Sequence, residues 1–183
     1  TMIHKNLDHT YKLLNNLLNW SRLQRGMIKP DIQSINLNEL FDEVIKSMEV
    51  QLEAKKIRCT IDIKEEVSVS GDVFMISTVI RNLLSNAVKY TSQGGAISIY
   101  SQSSDESLRL YVSDTGLGMD KETMAQLFDF TESKSTPGTE GEKGTGLGLI
   151  VCKEFINMMK GDFGFSSEAG KGSSFWFSLP PDK

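Results

Sequence analysis

Apolar and aromatic positions in residues 3–25 fall at Leu7, Tyr11, Leu14 and Leu18, a 4-3-4 spacing that draws one seam down a helix, widened by Leu13, Leu17 and Trp20. Gly26 and then Pro30 predict where that helix stops. A second helix is predicted over about 39–56, capped by Asn36 or Asn38, with a stripe of Leu40, Phe41, Val44, Ile45, Met48 and Leu52. The period then changes from about four to two. The stretches 57-IRCTIDI-63 and 67-VSVS-70 alternate as strands do, and Gly71-Asp72 turns the chain. Ile76, Val79, Ile80, Leu83, Leu84, Ala87 and Val88 predict a helix over 73–90 with a broad apolar face, closed by the turn 92-SQGG-95. Strands 96–102 and 108–114 read as a hairpin, followed by a short helix over 121–128. Residues 131–143 carry no apolar period and predict a loop, before a helix from Thr145 to about Lys160 and closing strands 162–167 and 173–179. Strands and helices mix without a regular βαβ alternation, which predicts one sheet with helices on one face.

With 183 residues, 39% hydrophobic and 24% charged, the chain is long enough to bury a core. No apolar run approaches the roughly 18 residues needed to span a bilayer, so no membrane contact is expected of this stretch. The two cysteines, Cys59 and Cys152, have no metal-ligand or disulfide spacing. A reduced, cytoplasmic setting is expected. A net charge of −4 without a basic block excludes nucleic acid as the expected partner. The chain begins at Thr1 inside a helical pattern, as a piece of a longer protein would.

Three stretches carry candidate chemistry. In 144-GTGLGLI-150 the glycines alternate where a helix should begin, after a loop. A dinucleotide fingerprint needs G-x-G-x-x-G after a strand, and a phosphate loop needs G-x-x-x-x-G-K-[ST]; neither fits. What is left is a hinge or a backbone cradle for phosphate at a helix N-terminus. In 114-DTGLGM-119 an aspartate at a strand end precedes two glycines. Asp114 either bonds local backbone or, buried, accepts from the exocyclic amine of adenine and rejects the oxygen of guanine. In 82-NLLSNAVKYT-91, Asn82, Asn86, Lys89 and Tyr90 share one helical face. That face is either plain solvent surface or a site in which the Asn86 oxygen suits Mg²⁺, beside a cation and an aromatic wall.

In this order the three stretches resemble the N, G1 and G2 boxes of the GHKL ATP-binding superfamily, and most of all those of sensor histidine kinases of two-component systems. The resemblance covers nearly the whole chain: 127-LFDF-130 is similar to the F box, and 7-LDHTYKLLNNLLNWSRLQRG-26 to the second helix of the dimerisation hairpin. It implies an α/β fold, a two-layer sandwich of the Bergerat type with a mixed sheet of about five strands and three helices, preceded by one long helix. Residues 1–30 would be the truncated hairpin helix, and 31–183 the catalytic ATP-binding domain with an ATP lid at about 131–143. Asn86 would be the Mg²⁺ ligand, Lys89 a phosphate contact with Asn82 near it, and Tyr90 an adenine neighbour. Asp114 would read the adenine amine. Gly116 and Gly118 would let backbone pass the base, and Gly144, Thr145, Gly146, Leu147 and Gly148 would hold the phosphates. Lys143, with Lys134, would reach in from the lid, and Ser173 and Phe175 would floor the adenine pocket.

The implied activity is transfer of the ATP γ-phosphoryl to a histidine and onward to an aspartate of a response regulator receiver domain, in a homodimer built through the hairpin. The parent protein would be cytoplasmic or anchored in the inner membrane. No histidine here has the acidic neighbour and following proline of a phosphoacceptor: His4 and His9 read as solvent-facing or helix-packing, so this stretch is not expected to phosphorylate itself. The ATP-hydrolysing relatives usually carry glutamate where this chain has Asn82, and an amide cannot take a proton from water. A dimerising module with a degenerate pocket is the other reading, and the presence of Asn86, Lys89, Asp114 and the G2 glycines weighs against it.

Overall fold

A computed structural model describes Leu14 and residues 29–63, 68–103, 108–129, 136–142, 144, 146–180 and 182. The expected helix over 3–25 therefore lies outside the described residues apart from Leu14, as do Lys134, Lys143, Thr145 and Phe130. The elements are β1 (Gln33–Asn36), α1 (Leu37–Ala54), β2 (Arg58–Asp62), β3 (Ser68–Gly71), α2 (Val73–Tyr90), β4 (Ala96–Ser103), β5 (Leu108–Asp114), α3 (Lys121–Gln126), α4 (Gly148–Met158), β6 (Phe163–Glu168) and β7 (Gly172–Leu179).

Helix α1 starts where the Asn36 side chain accepts from the N–H groups of Asn38 and Glu39, satisfying donors that have no partner within the helix. Its stripe of Leu37, Leu40, Phe41, Val44, Met48 and Leu52 is buried. Asp72 caps α2 in the same way through the Met75 N–H. The α2 face from Met75 to Val88 is buried in the core, with Ile76, Val79 and Ile80 at 0% exposure. Each such side chain contributes roughly 1.5–3 kcal/mol by leaving water.

The sheet is five-stranded in the order β2-β4-β5-β7-β6, and β1 with β3 forms a separate antiparallel pair. Strand β2 runs parallel to β4, which the long crossover through β3 and α2 makes possible; the other neighbours are antiparallel. Alternation gives the sheet two unlike faces. Ile97, Ile99, Leu110, Val112 and Phe177 are buried in one core cluster with α1, α2 and α4. On the opposite side Tyr100, Tyr111, Trp176 and Gly164 stand in register across four strands, with Tyr100 stacked on Tyr111 at 4.7 Å.

Candidate functional site

The register that builds the core also fixes the first site residue. Asp114, the last residue of β5, is opposite both Ile97 of β4 and Ser173 of β7, so its side chain points to the helix side of the sheet at the strand ends. Its Oδ1 accepts from the backbone N–H of Gly116 at 2.8 Å and of Ser173 at 3.3 Å. Among the described residues no donor reaches Oδ2. Burial pushes the carboxyl above its ordinary 3.8, and the two N–H bonds only partly offset this. A cleft of about 350 Å³ opens here, lined by Ser113, Asp114, Ser166, Ser167, Glu168, Lys171, Gly172, Ser173 and Ser174. No described residue of α2 or of 144–148 lines it, so among the described residues the three stretches are not brought together as walls of this cleft.

They meet instead at α2. The last carbonyls of α2 lack partners within the helix, and two of them, on Tyr90 and Lys89, are taken by site segments. Tyr90 O accepts from Leu117 N of the 114–119 turn at 3.1 Å, and Lys89 O from Thr139 N at 3.0 Å. Gly116 lies so close that a Cβ there would stand 2.4 Å from Tyr90 O, and a Cβ on Gly118 (φ +63°) would stand 1.9 Å from Glu168 O. The requirement for glycine in this turn is thus set by the protein's own backbone. At the other end of the face, Gly148 sits against Asn82, whose Oδ1 would be 2.7 Å from a Cβ added there, while Asn82 Nδ2 donates to Thr78 O at 3.0 Å.

Helix α4 begins at Gly148 after Gly146, which has φ +73°, and its N-cap Leu147 offers no side-chain acceptor to the first turn. The first-turn N–H groups keep the partial positive charge of a helix start. Lys89 is 9% exposed; its Nζ donates to Tyr90 Oη at 2.7 Å and to Thr136 O at 2.9 Å and stands 4.4 Å from the Tyr90 ring centre. Asn86 is half-buried on the same face, and no hydrogen bond among the described residues engages its side-chain amide.

Ser173 bonds Ser167 side chain to side chain at 2.9 Å, and Ser167 in turn accepts from Met119 N, tying β6 to the 114–119 turn. Phe175 stacks on Phe165, against which Phe128 packs together with Phe163, and the Lys153 ammonium stands 4.9 Å over the Phe128 ring. Lys55, Thr139 and Glu142 also join the site, and the sequence reading missed them. Thr139 and Glu142 were covered only as part of a loop. Lys55 sits in a Lys-Lys pair at a helix end, a pattern that ordinarily points to solvent.

Residues 71–183 match the family described as histidine kinase-, DNA gyrase B-, and HSP90-like ATPase. The chain is 29% identical over 183 residues to the sensor protein GacS of Pseudomonas syringae pv. syringae, covering 97% of this chain and 20% of that protein. It is 31% identical over 171 residues to the sensor histidine kinase RcsC of Salmonella typhimurium, covering 92% of this chain and 18% of that one. The crystal structure of full-length ShkA in complex with AMPPNP superposes with a TM-score of 0.80 at 26% identity, over 96% of this chain and 36% of ShkA. The chain thus spans about a fifth of the length of the curated relatives it matches. The half-buried strand-end aspartate, the polar helical face and the glycine-led helix all lie in or beside the matched range: the chain belongs to the histidine kinase-, DNA gyrase B- and HSP90-like ATPase family and is homologous to sensor histidine kinases.

Proposed function

We propose that this chain is the ATP-binding catalytic domain of a sensor histidine kinase, which binds Mg-ATP and presents its γ-phosphoryl to a histidine outside these 183 residues. The carrying observation is Asp114: one carboxylate oxygen is pinned by two backbone N–H groups and the other has no donor among the described residues. A desolvated acceptor aimed this way suits the amine of adenine and penalises the oxygen that guanine presents there. Around the phosphates, Lys89 would exchange the Thr136 carbonyl for a phosphate oxygen, a charge-assisted bond worth roughly 1.5–3 kcal/mol. The first turn of α4 would supply N–H donors, and Asn82 would hold Gly148 in position. Lys143, Gly144, Thr145 and Leu147 complete the proposed phosphate side, and Tyr90 and Ser173 the adenine side.

Asn86 is the proposed Mg²⁺ ligand. Its amide is not engaged by any described hydrogen bond, and no cluster of three or more His, Cys, Asp or Glu residues exists among the described residues. One neutral oxygen fits Mg²⁺, which keeps waters and takes phosphate oxygens as its remaining ligands. The bound ion would neutralise charge on the β- and γ-phosphates during in-line transfer. The receiving aspartate belongs to a separate response regulator, and the parent protein is proposed to act as a homodimer in the cytoplasm.

Binding is expected in the range of about 1 μM to 1 mM, or roughly −8 to −4 kcal/mol. Isothermal titration with Mg-ADP tests this: the wild type should bind, and Asp114→Asn should bind about 10- to 100-fold more weakly, the equivalent of one charge-assisted bond. Label from γ-labelled ATP should not appear on this chain alone. Steady-state ATP turnover would overturn the kinase reading in favour of a hydrolase, since Asn82 cannot act as a general base.

A further inference from the structure

At the C-terminal end of α1, Lys55 is buried, with 5% of its side chain exposed. Its ammonium reaches four oxygens: Val88 O at 2.9 Å, Lys89 O at 3.2 Å, Thr139 Oγ1 at 2.7 Å and Glu142 Oε1 at 2.6 Å. Two of these are end carbonyls of α2, where a cation is also favoured by the helix dipole. The other two belong to the described part of the 131–143 loop. Thr139 extends the cluster, its hydroxyl lying 3.2 Å from both Lys89 O and Thr91 O. Glu142 closes it from the loop side, where its second oxygen accepts from Glu140 N at 2.8 Å and its backbone carbonyl accepts from Gly138 N at 2.9 Å. One side chain therefore joins three segments that are far apart in sequence: α1, the end of the Asn86–Lys89 face, and the loop whose Thr136 carbonyl rests on Lys89.

We propose that Lys55 is a positioning residue of the nucleotide site, a clasp that holds segment 136–142 on the end of α2 and so sets where the lid stands over the phosphates. The inference rests on the ATP-binding reading of the same site. It assigns the clasp to the phosphate half alone, because the side-chain bonds of Asp114 and Ser173 run to Gly116, to Ser167 and to each other, and none of the described ones involves Lys55, Thr139 or Glu142. Loosening the clasp should weaken ligands that carry phosphates and leave adenosine unaffected.

Glu142→Gln and Thr139→Val carry the test, since each cuts the clasp from the exposed side and leaves Lys55 capping α2. In titrations of the 183-residue chain, Mg-ATP should bind each variant about 3- to 10-fold more weakly than wild type, the size expected of a half-buried ion pair or hydrogen bond. Adenosine, followed by NMR shifts, should bind equally. Hydrogen exchange should speed up at Gly138, Thr139 and Gly141, with the melting temperature within about 2 °C of wild type. Lys55→Met combined with Glu142→Gln should weaken Mg-ATP no more than Lys55→Met alone. Wild-type binding of Mg-ATP with unchanged affinity in both loop variants would overturn the clasp and leave the site reading standing, and so would equal loss of adenosine and Mg-ATP. A wild type that binds no Mg-ATP would overturn both.

Discussion

The turn that Asp114 opens and the 136–142 segment both attach to the C-terminal end of α2, and they are held by different means. Asp114 is fixed by sheet register and by two backbone N–H groups, so its position follows from the fold itself. Segment 136–142 is fixed largely by side chains: Lys55, Thr139, Glu142 and the Lys89 ammonium. A corner built on backbone pairing stays put when ligands come and go, because moving it means unzipping strands. A segment built on an ion pair and a few hydrogen bonds can be reset at lower cost, since each such bond contributes only about 0.5–3 kcal/mol net. In the proposed ATP site the rigid acceptor would choose the base and the adjustable segment would enclose the phosphate chain.

The largest expected effect breaks the rigid end. Gly118→Ala would force a side chain at φ +63° into the Glu168 carbonyl, and the strain and overlap together should cost about 2–5 kcal/mol. Thermal melting should show a fall of roughly 5–15 °C. A melt unchanged within error would mean that the 114–119 turn is as yielding as the loop.

A smaller effect separates the two ends by the sign of their response to acid. Burial raises Asp114 above 3.8, so its ionised form costs stability above that raised value, and the cost is relieved as pH falls toward 3.8. For Glu142, burial is the largest single influence and raises it; the Lys55 bond, backbone N–H bonds and the Lys55 charge together leave it below 4.5. Its contribution is present above 4.5 and is lost as pH falls through the lowered folded value. Wild type should therefore gain on Asp114→Asn as the medium is acidified, and lose its advantage over Glu142→Gln. Melting curves across the acid range check both, with shifts of a few degrees at most.

The smallest effect belongs to the outer sheet face, where Tyr100 stacks on Tyr111. Tyr100→Leu keeps apolar surface and loses the stack, which should cost about 0.5–1.5 kcal/mol and leave Mg-ADP affinity unchanged. An affinity change would show that the nucleotide site extends through the sheet.

How much of this was legible in the sequence depends on how local the cause was. Helix α2 was predicted over its observed residues because its apolar face repeats for five turns between the Gly71-Asp72 and 92-SQGG-95 turns. Strands β4 and β5 were equally clear. Strand β1 was missed, since 33-QSIN-36 has one apolar residue and its partner β3 lies beyond an 18-residue helix. Helix α4 starts at Gly148, three residues later than expected, because positive φ at Gly146 keeps the chain out of the helix. Asp114, Asn86 and Lys89 could be singled out by residue type and spacing. Lys55 could not, because its partner Thr139 is 84 residues away and only folding brings them together.

The central claim is that Asp114 selects adenine at the rigid end of a nucleotide site, and titration of Mg-ATP against Mg-GTP on wild type and Asp114→Asn tests it most directly. Wild type should bind Mg-ATP at least about 10-fold more tightly than Mg-GTP, and the variant should lose most of that preference, because an amide can donate to the guanine oxygen. Equal affinity of wild type for the two nucleotides, or a preference that survives in Asp114→Asn, would contradict the account.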